Sequence, residues 1–194
     1  MDNRSKTDGR SMDHGAQCWR RYLDGDESGF DELLKTHRDS LTFFLYRLVH
    51  DESIAEDLCI DTFMELLLHK RRYNFKIPLK NYLFMIARSR AVDYLRHAKK
   101  FATVELSEAE NETADNYTPE EILLKNEQSR ALSLAMQSLP DEMQVALHLV
   151  YIEELSYKDA AHVMKKSPKQ VDNLLTRAKS ALRTTLSKEG DLFS

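Results

Sequence analysis

Glycine is scarce and confined. Only Gly9, Gly15, Gly25, Gly29 and Gly190 occur, and none lies between residues 30 and 189. Phosphate-cradling loops, dinucleotide fingerprints and nucleophile elbows all need glycine where the backbone turns tightly, so the body of the chain holds none of them. Tight two-residue hairpins also favour glycine, which argues against a β fold. Cysteine is scarcer still. Cys18 and Cys59 are too few for a disulfide framework and lack metal-ligand spacing, so a reducing, cytoplasmic setting is expected. Long apolar runs are missing: the longest stretches without a charged residue are the ten-residue segments Ala131–Pro140 and Met143–Ile152. A membrane-spanning helix needs about twenty apolar residues. The opening Met1-Asp2-Asn3-Arg4-Ser5-Lys6 has no apolar core of a secretory leader.

What is present reads as helix. Pro78, Pro119, Pro140 and Pro168 stand where helices would begin, a position at which the missing N–H costs nothing. Thr118…Glu121 and Ser167…Gln170 add capping-box spacing. Leu41, Phe44, Leu45 and Leu48 recur at one helical face, as do Val171, Leu174, Leu175, Ala178 and Leu182. The expected fold class is all-α, with helices near 15–24, 27–49, 52–70, 78–99, 119–138, 141–152, 156–164 and 168–187. Phe101–Tyr117 has five carboxylates, no cation and little periodicity, so a flexible acidic linker is expected there. The resulting division is an N-terminal extension (1–26), a first helical domain (27–100), the linker (101–118) and a second helical domain (119–194).

Charge is segregated within a net of -4. Residues 51–65 hold six acidic residues and no Lys or Arg. Residues 70–100 hold ten basic residues against one acidic, and 158–183 hold seven against two. Opposed patches fit two kinds of partner, nucleic acid on the basic ones. The alternative, that each run is a solvated helix face, is open for any run alone.

Two constellations sharpen this. Residues 155–182 read as two helices joined at Lys165–Ser167, with Ala160 and Ala161 small where the helices meet. On the second helix, Lys169, Asn173, Thr176, Arg177 and Ser180 lie opposite the apolar face, as in a helix-turn-helix reading the major groove. A plain helical hairpin is the competing reading. Residues 70–100 interleave cations with Tyr73, Phe75, Tyr82, Phe84 and Tyr94. Rings stack on unpaired bases and cations track phosphates, which suits melted DNA. For any one ring, a place in the core is the competing reading.

Ala55–Phe63, Tyr82–Arg88 and Val92–Arg96 resemble region 2 of bacterial RNA polymerase sigma factors. Leu139-Pro140, Leu155-Ser156-Tyr157 and the helix-turn-helix resemble region 4. Regions 2 and 4 joined by a short linker are the pattern of the extracytoplasmic-function type within the sigma-seventy superfamily. The resemblance implies a protein that binds core polymerase and recognises and melts promoter DNA. It implies that Glu56, Asp57, Leu58 and Asp61 dock on the β′ clamp helices, with a further contact on the β flap. Tyr73, Phe75, Lys80, Tyr82, Arg88, Ser89 and Arg96 would meet the minus-ten element. Lys166, Ser167, Lys169, Gln170, Asn173, Thr176, Arg177 and Lys179 would meet the minus-thirty-five element. An anti-sigma protein is a further implied partner; no cofactor, metal or membrane is implied.

The chain departs from the family pattern at Tyr82 (usually Trp), Ser89 (usually Asn) and Lys165 (usually Gly). Asp172 and Leu174 stand where cations are common, and Asp172 would repel a nearby phosphate. Two other classes compete with this reading. A helix-turn-helix regulator that does not bind polymerase would need a ligand pocket or receiver domain, and the N-terminal half has no βα pattern. An enzyme is not expected, because the seven histidines form no close metal-ligand pair in sequence and no nucleophile–base arrangement is visible.

Overall fold

The computed structural model describes residues 13–102, 132 and 134–190. The 103–118 part of the expected linker and most of the expected 119–138 helix lie outside these residues. Among the described residues every regular element is helical: α1 (His14–Leu23), α2 (Ser28–Val49), α3 (Glu52–Leu68), α4 (Leu79–Ala102), α5 (Asp141–Leu147), α6 (Tyr157–Met164) and α7 (Pro168–Gly190). The helix expected over 141–152 changes pitch at residue 148. His148–Ile152 forms a π-helical turn, closed by Glu153 N–H on the His148 carbonyl at 2.9 Å. The fourth helix runs on to Ala102, past its expected end near 99.

The first unit is built from α1 to α4, and α1 is an integral part of it rather than an extension. Trp19 is fully buried and stacks on Tyr22 at 5.2 Å, while Ala16 and Cys18 face the same core. Asp13 couples two helix starts. One carboxylate oxygen accepts from Ala16 N–H at 3.1 Å, capping α1, and the other accepts from Leu79 N–H at 3.2 Å, at the head of α4. Gly29 allows α1 and α2 to approach, since a Cβ there would lie 2.4 Å from the Cys18 carbonyl oxygen. Helix α4 buries Leu79, Leu83, Phe84, Ala87 and Ala91 against α2 and α3, with Phe84 edge-on to Phe44 at 5.1 Å. Tyr94, further along the same helix, is 36% exposed.

The second unit packs α5, α6 and α7 around Leu149, Val163, Val171 and Leu175. Gln144 is buried there without penalty, because its amide donates to the carbonyls of Leu139 (2.7 Å) and Gln137 (3.1 Å). The two units lie against each other and share one continuous apolar core.

Candidate polymerase and nucleic-acid interfaces

Helix α3 is capped by Asp51, whose carboxylate accepts from Ile54 N–H at 2.9 Å. It buries Ala55, Cys59, Phe63 and Leu66, and it buries Leu58 as well. Leu58 is therefore buried at the margin of the core face, about 60° round the helix from exposed Asp61, and not openly presented as the docking contact that the resemblance implied. Glu56, Asp57 and Asp61 face solvent. Sharing their sector is an apolar stripe the charge pattern concealed, Ile60 (60% exposed), Met64 (45%) and Leu68 (70%). The i, i+4, i+8 spacing was the signal available in the sequence. Glu65 belongs elsewhere, held by Arg72 at 2.6 Å and Arg90 at 2.5 Å.

The loop between α3 and α4 carries an aromatic cluster. Tyr73 is buried, donates its hydroxyl to the Ile77 carbonyl at 2.8 Å, and lies 4.7 Å from Phe75 and 5.3 Å from Tyr82. Burial raises its phenol pKa. It is thus not an open contact for the minus-ten element, which the resemblance implied, but the support under two rings that are partly open; for Tyr73 the competing reading, a place in the core, is the one found. Phe75 has a left-handed backbone (φ 61°), which is rare for a bulky residue, and carries the Arg20 guanidinium 4.8 Å from its ring centre. Strain of this kind collects at binding loops.

Along α4, Lys80 is half-buried and paired with Glu153 at 3.5 Å. Arg96 is exposed and paired with Asp93 at 2.7 Å. Ser89 is exposed, and Arg88 lines a groove between the units with Asp141, Glu142 and Lys166.

Helix α6 is capped by Ser156, which accepts from Asp159 N–H at 3.1 Å. It ends at Lys165, which takes the left-handed conformation (φ 52°, ψ 45°) that glycine usually fills. A reciprocal capping box then starts α7: Ser167 N–H donates to the Gln170 side-chain oxygen (2.7 Å), and Gln170 N–H to the Ser167 hydroxyl (3.2 Å). Val171, Leu174, Leu175 and Ala178 are buried, while Lys169, Gln170, Asn173, Thr176 and Arg177 all face solvent. Lys169, Asn173, Thr176 and Arg177 have no hydrogen bond or ion pair among the described residues. Asp172 is exposed on the flank of this row. Lys166 is paired with Glu142 at 2.7 Å. Lys179 sits 5.0 Å from the Tyr151 ring centre, and this contact lowers the Tyr151 phenol pKa.

One further cluster, invisible in sequence spacing, joins His14, Cys18 and Glu32, whose ligand atoms lie within 4.8 Å of one another. His14 Nε2 is 2.9 Å from Glu32, and the Arg21 guanidinium holds the other Glu32 oxygen at 2.7 Å. Burial and Glu32 raise the Cys18 thiol pKa, which keeps it protonated. With a fixed cation already on the carboxylate, the cluster is an ion-paired clasp between α1 and α2.

A helical bundle with a basic, aromatic-braced helix, followed by a helix-turn-helix with an open reading face, defines a two-part DNA-binding transcription protein. The comparisons name the family. The Sigma-70 region 2 model matches residues 33–101, and the Sigma-70 region 4 model matches residues 129–182. The chain is 31% identical over 160 residues to the ECF RNA polymerase sigma factor SigM of Bacillus subtilis, covering 81% of this chain and 95% of that one. It is 26% identical over 184 residues to the RNA polymerase sigma-H factor of Pseudomonas aeruginosa, covering 91% and 95%. Its fold is similar to that of the sigma factor RpoE solved with the anti-sigma factor NepR from Bartonella quintana, with a TM-score of 0.59 at 20% identity over 81% of this chain and 96% of that one. The chain belongs to the ECF sigma factors of RNA polymerase. It binds core polymerase and directs promoter-specific initiation of transcription. No described helix is long and apolar enough to cross a membrane.

Proposed function

We infer that the two units divide the work of initiation as follows. Region 2, taken as residues 13–102 with α1 included, docks on the β′ clamp helices through α3. Ile60, Met64 and Leu68 supply apolar area, and Glu56, Asp57 and Asp61 supply charge that meets the cations of the partner. The same unit melts and holds the minus-ten element. Tyr82 and Phe75 offer ring faces to unstacked bases, Tyr73 braces them from below, and Lys80, Arg88 and Arg96 neutralise phosphates. Ser89, exposed and next to Arg88 on α4, is a further candidate contact for the same element.

Region 4 reads the minus-thirty-five element in duplex form. Asn173 and Arg177 stand one turn apart on the open row of α7 and reach base edges, Asn suiting adenine and Arg suiting guanine. Lys169 and Gln170 enter first, at the helix N-terminus, where the helix dipole favours phosphate. Ser167, Thr176, Lys166 and Lys179 position the backbone. The β flap and an anti-sigma protein are the further partners this reading includes.

The observation that carries this assignment is the open row on α7: four groups able to contact DNA, side by side and free of internal partners. Transcription with purified core enzyme and no other factor tests it. Holoenzyme made with Tyr82→Ala/Arg88→Ala should bind core normally but leave promoter thymines unreactive to permanganate. Normal thymine reactivity in that variant would remove these residues from melting.

A further inference from the structure

The clasp between α1 and α2 brings three kinds of metal donor to one point. His14 and Cys18 stand four residues apart on α1, so one helical face carries both. Glu32 reaches them from α2. His14 Nε2 lies 2.9 Å from Glu32 Oε1 and 3.9 Å from Cys18 Sγ, and the donor atoms of all three lie within 4.8 Å of one another. Donors around a tetrahedral ion, with bonds of about 2.0–2.3 Å, are about 3.3–3.6 Å apart. The first two separations bracket that range, so small side-chain rotations suffice to bring the three onto one ion. The helices that carry them are held close by the Gly29 contact with the Cys18 carbonyl.

Three features set this cluster apart from a plain ion pair. The first is the sulfur. An imidazole–carboxylate pair needs none, yet Cys18 is 2% exposed and turns its Sγ to within 3.8 Å of His14 Nδ1. A thiol is a weak hydrogen-bonding partner, so it adds little to the clasp in that role. The second is the aim of the carboxylate. Arg21 donates to Glu32 Oε2 at 2.7 Å and is itself fixed by Asp26 Oδ2 at 2.8 Å and Ser28 Oγ at 2.6 Å. That leaves Glu32 Oε1 directed at the imidazole, which is how outer partners orient a metal-binding carboxylate. The third is charge. Asp26 balances Arg21. A divalent cation with one thiolate and one carboxylate is then neutral. Burial and Glu32 hold the thiol protonated, and a cation at this point cancels the second of these causes and binds the thiolate itself.

We propose that His14, Cys18 and Glu32 form a binding site for a borderline-soft divalent cation of the zinc class. One nitrogen, one sulfur and one oxygen suit Zn²⁺, whereas Mg²⁺ and Ca²⁺ favour oxygen alone. The His14 side chain is 62% exposed, so the site opens to solvent on that side and a water completes the tetrahedron. Without the ion, the same groups make the ion-paired clasp described above. With it, α1 is stapled to α2, and the stability of the first unit follows the metal supply by mass action. None of the three donors is assigned to polymerase or DNA, so the proposal stands apart from that reading.

The test uses the full chain, stripped of metal with a chelator, and two probes, Zn²⁺ alone and Co²⁺ alone. Wild type should bind one Co²⁺ per chain, with a sulfur-to-cobalt charge-transfer band that Zn²⁺ abolishes. Cys18→Ala should lose the band and Cys59→Ala should keep it, since Cys59 Sγ is buried elsewhere, on the Arg38 carbonyl. His14→Gln and Glu32→Gln should each weaken Zn²⁺ binding by about tenfold or more, because loss of even an outer partner costs about 10–100-fold. His14 is on the surface, so its variant keeps the test sound if Cys18→Ala unfolds. Zn²⁺ should also raise the thermal midpoint of wild type and leave that of His14→Gln unmoved. No band in wild type, a band that survives Cys18→Ala or one that vanishes in Cys59→Ala would overturn the proposal. So would undiminished Zn²⁺ binding by His14→Gln, which would place the ion on other histidines.

Discussion

Helices α4 and α7 are nearly the same length, 24 and 23 residues, and both carry residues suited to DNA, yet their polar faces differ in what they touch. On α7 the row Lys169, Asn173, Thr176 and Arg177 is open. On α4, Lys80 is engaged by Glu153, Arg90 by Glu65 and Arg96 by Asp93, while Tyr82 leans on Tyr73. The difference follows from what packs on each helix. One side of α7 meets the core and the rest meets water. Helix α4 lies between α2 and α3 on one side and region 4 on the other, so its cations find protein carboxylates. A free polar face is read from periodicity alone; a face whose cations are engaged by carboxylates from other helices is not.

The largest expected effect tests whether region 2 is the bundle described here. Trp19→Ala removes a fully buried ring and should cost about 3–5 kcal/mol in a urea melt of the whole chain. A loss under about 1 kcal/mol, the range of a surface change, would mean that α1 is not part of the core that holds α4 in place.

Next is docking, which should depend on the outer face of α3 and on neither DNA helix. Asp57→Lys/Asp61→Lys should weaken core binding by about 1–3 kcal/mol, and Leu58→Ile should leave it nearly unchanged. Unaltered pull-down by the double reversal would break the assignment of α3.

The open row of α7 should behave as a reading surface. Asn173→Ala and Arg177→Ala should each cost about 1–3 kcal/mol on the cognate upstream element and relax its specificity. Lys179→Ala should instead weaken binding to every sequence and lower the salt slope by about 1. Holoenzyme binding to a panel of upstream variants at two salt concentrations separates the two patterns. Uniform losses for Asn173→Ala and Arg177→Ala would make them phosphate contacts.

The smallest effect concerns pH at the contact between the units. Burial lowers the pKa of His148 and of His37 from the usual 6.5. His148 faces Glu153, Lys80 and Ser40; His37 lies near Glu153, Lys80, Asp13 and His14. The unfolded chain takes up protons near pH 6.5 that the folded chain refuses. Stability is therefore fully present above that pH and declines as pH falls through it. Urea midpoints should drop between about pH 7.5 and about pH 5.5, and less so in His148→Gln. A flat profile in wild type would mean that neither imidazole is kept neutral by the fold.

Much of this was legible in the residues. The prolines, capping boxes and 3.6-residue periodicity give helix after helix, because those signals act within a few residues of each other. The open row on α7 followed from the same arithmetic, whereas the left-handed turn at Lys165 did not: the family's usual glycine there left two ways to build the turn, and the structure shows the left-handed one. The sequence by itself determined an all-helical chain with an acidic helix and a helix-turn-helix, since local periodicity and charge suffice for each. Burial was decided elsewhere. Leu58 and Tyr73 look like contact residues in a string and are core residues in space, because only the neighbouring helix decides which apolar side chain is covered. Trp19 gains its role when Gly29 lets α2 approach α1. The pairing of Glu153 with Lys80, 73 residues apart, belongs wholly to tertiary structure. No local rule couples charges so distant in the chain, and the packing of two units brings them together.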